Sequence, residues 1–100
     1  MEILSGHKEE LHEKYKVREI GIFGSYVRGE QKKTSDIDIL VDFENEEIIG
    51  GFEFIGLMSD LEDYIQKIIG IKPHLASKRH AMSSNKWRNI EKEVVTIEIK

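Results

Sequence analysis

The stretch from Phe52 to Ile69 limits what this chain can fold into more than any other. Phe54, Leu57, Met58, Leu61, Ile65 and Ile68 recur at helical spacing, which predicts one long amphipathic helix that Gly70 stops. A stripe of that length must be buried against another layer. With 100 residues, 39% of them hydrophobic, the chain has material for one domain, residues 1–100, around one core. A domain of this size buries only about 60–65% of its unfolded surface, so modest stability is expected. It also leaves little room for a separate substrate domain, and part of any substrate recognition is expected to come from a partner.

The covering layer is legible on both sides of that helix. Val17–Phe23 is short, apolar and β-branched, as a buried strand should be. Asp36–Phe43 begins with alternating acidic and apolar residues, a strand with Ile37, Ile39 and Val41 toward the core. Ile71–Ala76 predicts a third strand, at a sheet edge because it contains Pro73. An amphipathic helix over 5–15, a short helix from Ser25 to Arg28 ending at Gly29, a polar loop over 30–35, a helix over 84–93 and a terminal strand from Val94 complete the reading. The order α-β-α-β-α-β-α implies an α/β (α+β) fold, a small mixed sheet with helices packed on it.

Composition narrows the function. The chain has 15 Lys and Arg against 19 Asp and Glu, for a net charge of −4, whereas a nonspecific nucleic-acid binder carries an excess of cations. It has no cysteine, which excludes disulfides and thiolate metal sites. The first eight residues do not resemble a signal peptide, and no stretch approaches the roughly 20 apolar residues that span a bilayer. The expectation is a cytoplasmic protein that engages neither membrane nor nucleic acid directly.

The chemistry concentrates in Gly21–Gly29 and Ser35–Asp38. In a strand, residues i and i+2 share a face, so Asp36 and Asp38 converge. Two such carboxylates repel unless a cation lies between them, and a hard ion with oxygen preference, Mg²⁺ or Mn²⁺, suits the pair. A strand that ends at Gly24-Ser25 and opens into a helix offers backbone N–H groups to an anion, and Gly24 lets a phosphate approach without a Cβ clash. The Ser25 hydroxyl can add a hydrogen bond and Arg28 a charge. Phosphate donors beside a carboxylate pair are what a metal–triphosphate requires. Other polar residues have plainer readings: Asp42 is structural, Tyr26 packs, His7 and His12 are solvated, and His80 is surface charge.

The runs Phe23–Gly29 and Ser35–Val41 resemble those of the minimal nucleotidyltransferases of the DNA polymerase β-like superfamily, and the likeness extends over the chain in length and element order. Proteins of that type are the antitoxin half of toxin–antitoxin pairs whose toxin is a HEPN-domain ribonuclease, and some transfer AMP from ATP onto a tyrosine of the toxin. The resemblance implies that Gly24 and Ser25, with Arg28 and Ser35 beside them, hold the triphosphate. It implies that Asp36 and Asp38 hold the metals, and that a HEPN-type toxin is the partner in a hetero-oligomer. The family uses a third carboxylate from the next strand; here that stretch reads Pro73-His74-Leu75-Ala76, so His74 replaces the acid. Three readings stay open. His74 is a general base toward a tyrosine hydroxyl, or catalysis is weakened and the chain is a nucleotide-binding antitoxin, or the atypical Pro73 strand is misaligned.

Overall fold

A computed structural model describes residues 2–29 and 36–99, without the side chains of Ser25 and Glu47. Five helices, α1 (Glu2–Ser5), α2 (Lys8–Tyr15), α3 (Gly51–Ile69), α4 (Lys78–Met82) and α5 (Trp87–Glu93), accompany four strands, β1 (Val17–Phe23), β2 (Ile37–Phe43), β3 (Pro73–Ser77) and β4 (Val95–Glu98). The strands form one mixed sheet in the order β3-β2-β1-β4. β1 runs antiparallel to both β2 and β4, and β2 runs parallel to β3.

Strand alternation sorts the side chains. Ile20 and Ile22 of β1, with Ile37, Ile39, Val41 and Phe43 of β2, are buried on one face, where Leu61 and Ile65 of α3 and Leu4 and Leu11 of α1 and α2 complete the core. Asp38, Leu40 and Asp42 point to the other face. There α5 closes over the sheet, because Gly21 leaves room for it: a Cβ on Gly21 would lie 2.6 Å from Val94 Cγ2. No helix among the described residues is long and apolar enough to cross a membrane.

The expected α/β architecture is present, with four local corrections. The N-terminal helix is two helices, broken at Gly6-His7, where the His7 ring donates through Nδ1 to the Ile3 carbonyl at 2.7 Å and so draws off a helix acceptor. The helix expected after Gly24 is a single 3₁₀ turn, Gly24–Tyr26. α4 was not anticipated; buried Ser77 caps it, accepting from the His80 N–H while donating its hydroxyl to Glu46. His12, expected in solvent, is part-buried and bonded through Nε2 to Glu44 at 2.8 Å. The loop over 30–35, Ser35 included, lies outside the described residues.

Candidate active site

The site is built where β1 ends and β2 begins. The register sets Phe23 opposite Asp38, so the turn that follows Phe23 abuts the first residues of β2. Gly24 has φ +80°, in the left-handed region, and a Cβ there would collide with the Asp38 carboxylate. Only glycine fits this position both conformationally and sterically. The Val27 and Arg28 N–H groups fold back onto the Gly24 carbonyl, at 3.1 and 3.2 Å, and fix the turn.

On the other side of β2, Asp38 faces His74 across the parallel ladder. Pro73 begins β3, which is an edge strand, so its missing N–H does not prevent the pairing. Asp36, Asp38 and His74 therefore share one face of the sheet. The His74 Nε2 lies 2.5 Å from Asp36 Oδ2, and its Nδ1 is 4.0 Å from Asp38 Oδ1. All three remain in reach of solvent: the Asp36 and Asp38 side chains are about one-third exposed and His74 more than half.

Among the described residues, no three His, Asp or Glu side chains are spaced as a ready-made metal cage. The oxygens of Asp36 and Asp38 suit a hard divalent cation, as one part of a site that would need further oxygen ligands from outside the pair. The imidazole is the poorer donor for Mg²⁺, and it already engages Asp36.

Sequence reasoning missed Glu93. Its Oε1 accepts from the Gly24 N–H at 2.9 Å, and Arg28 Nη1 donates to both of its oxygens, at 3.1 and 3.0 Å. The hydrogen bond from Arg28, followed by that from Gly24, holds the Glu93 carboxyl below the usual carboxylate range. No local pattern announces a contact between residues 69 apart in sequence. Asp42, read as structural, pairs with Arg18 at 2.9 Å. A cavity of about 630 Å³ lies beside that pair, at the far end of β2 from Asp36. Its Arg18 and Lys78 are engaged by Asp42 and Glu19.

A family profile described as the nucleotidyltransferase domain matches residues 4–98. The chain belongs to this family. The nucleotidyltransferase is 46% identical over 95 residues to protein adenylyltransferase MntA of Thermococcus cleftensis, covering 95% of this chain and 89% of that relative. It is 54% identical over 78 residues to MJ1215 of Methanocaldococcus jannaschii, named as a candidate protein adenylyltransferase, over 77% of this chain and 83% of the relative. Two solved structures share its fold. One, described as a candidate minimal nucleotidyltransferase, has TM-score 0.63 at 22% identity and covers 94% of this chain and 89% of its own. The other, a toxin–antitoxin crystal structure with AMP-PNP, has TM-score 0.59 at 19% identity over 92% and 70%.

Proposed function

We propose that this nucleotidyltransferase moves AMP from ATP onto a hydroxyl of a partner protein, a tyrosine of a HEPN-type ribonuclease toxin, and so acts as an antitoxin. The observation that carries this reading is the junction of β1 and β2, where a glycine turn with no room for a Cβ presses against a carboxylate that shares its sheet face with Asp36 and His74. The names of the relatives, protein adenylyltransferases, support an adenylyl group as what is moved and a protein as the acceptor.

In this scheme the Gly24-Ser25 turn and Arg28 hold the phosphate chain, with Ser35 assigned there by motif alone. Asp36 and Asp38 hold Mg²⁺ or Mn²⁺, which when bound offsets the charge of the triphosphate and of the departing pyrophosphate. The acceptor oxygen attacks the α-phosphorus; a P–O bond forms to the acceptor as the bond to the β-phosphate oxygen breaks. The hydroxyl proton passes to His74, whose Nε2 is engaged by Asp36, leaving Nδ1 as the accepting atom.

A second reading is favoured by the same histidine. Because the His74 ring engages Asp36, metal binding must compete with that contact, and a chain that transfers AMP poorly would neutralise its partner by contact. One experiment separates the two. Purified chain, α-labelled ATP, Mg²⁺ or Mn²⁺ and the toxin are mixed, with Asp36→Ala/Asp38→Ala alongside. Label on the toxin, absent with the double variant, is expected for the transferase. Tight complexes from both versions with no label would overturn transfer in favour of masking.

A further inference from the structure

We propose that Glu93 is an internal stand-in for a nucleotide phosphate, and that its hold on Gly24 and Arg28 sets the affinity of the site for triphosphates. This rests on the assignment of Gly24 and Arg28 to the phosphate chain. A carboxylate and a phosphate present the same kind of surface to donors: negative charge spread over oxygens that accept from N–H groups. Glu93 uses both oxygens on the Arg28 guanidinium and one on the Gly24 N–H. A triphosphate reaching those donors must first displace it.

The geometry favours competition over a purely structural tie. The Arg28 side chain is nearly half exposed, an arrangement in which ion pairs add little to the stability of a fold. Glu93 is the last residue of α5, and Val94, next in the chain, packs over Gly21, so α5 is already anchored beside the turn without the carboxylate. The charge of Glu93 is sustained by its two donors, so it faces an incoming phosphate as an anion. Occupancy of binding donors by an internal group weakens apparent affinity by the fraction of molecules left open: a carboxylate seated in about nine molecules of ten weakens it about tenfold.

The test is titration calorimetry of the full chain with two probes in the presence of Mn²⁺, α,β-methylene-ATP and inorganic tripolyphosphate. Glu93→Gln keeps the shape and one acceptor but removes the charge, and Glu93→Ala removes the group. Both variants are expected to bind both probes about five- to tenfold more tightly than the wild type. Unchanged or weaker binding by Glu93→Gln, with the wild type binding normally, would overturn the proposal and make Glu93 a residue that orders Arg28. If no version binds either probe, the phosphate assignment of the turn falls as well, and the proposal with it.

Discussion

A methyl group on Gly24 would meet the Asp38 carboxylate, and the left-handed φ there is costly for any residue with a Cβ. Gly29 has a similar φ, +71°, but among the described residues no atom beyond its chain neighbours lies within 4 Å of where its Cβ would sit. The two positions make a matched pair. Gly29→Ala is expected to lose about 1 kcal/mol from backbone strain alone. Gly24→Ala loses more, by thermal or urea denaturation, and also displaces Asp38, so Mn²⁺-dependent nucleotide binding falls with it. Equal losses at the two glycines would show that the contact with Asp38 is slack. At His74 the expectation divides between binding and turnover. His74→Ala lowers kcat of transfer about 100-fold, as removal of a general base does, while the Kd for nucleotide stays within threefold. A variant with unaltered kcat would remove His74 from the chemistry. Asp36, Asp38 and Gly24 were visible in the sequence because strand period and turn chemistry are local. The contact of Glu93 with Gly24 and Arg28 was not, because it depends on where α5 lands.

At the scale of elements, α3 was read with both ends correct to within a residue: its stripe alternates Leu61 and Ile65 inward with exposed Phe52 and Ile55, and Gly70 ends it in the left-handed region. Leu61 is fully buried against the sheet. Leu61→Ala is therefore expected to cost about 2–5 kcal/mol and to lower Tm by about 10 °C or more; a shift under two degrees would mean that α3 is not the main cover of the core. Elements whose ends are set by long-range bonds were harder to see. α4 starts at Ser77, whose hydroxyl is held by Glu46 from a distant loop, and nothing in Lys78-Arg79-His80 signals that cap. The break between α1 and α2 turns on one histidine ring bonding to a carbonyl four residues back.

Tyr64 ties the stability of the whole molecule to alkaline pH. Tyr64, on α3, is half-buried beside the Tyr15 ring, and its hydroxyl oxygen, itself buried, has no hydrogen-bond partner of good geometry among the described residues. Burial, reinforced by the nearby Glu10 carboxylate, pushes its pKa well above the ordinary value of 10.0. A group whose folded pKa is raised contributes stability below its unfolded pKa and loses it as pH rises toward the folded one. Urea midpoints are thus expected to hold steady to about pH 9.5 and then to fall, and Tyr64→Phe should flatten that fall. Glu93 works in the opposite sense: its depressed pKa adds stability above the unfolded carboxylate value, lost as pH drops through the folded one. An alkaline limb that is the same in wild type and Tyr64→Phe would assign it to other groups.

Along β2, the buried Ile37, Ile39 and Val41 interleave with Asp36, Asp38 and Leu40 on the opposite face. If β2 slipped by one residue against its neighbours, every side chain would change sides, and both aspartates would enter the hydrocarbon interior. Such a molecule would not survive as a compact species. The alternation that sets the pairing of β2 is thus the same one that gathers the carboxylates, and a chain that forms this sheet in register carries both aspartates on one face.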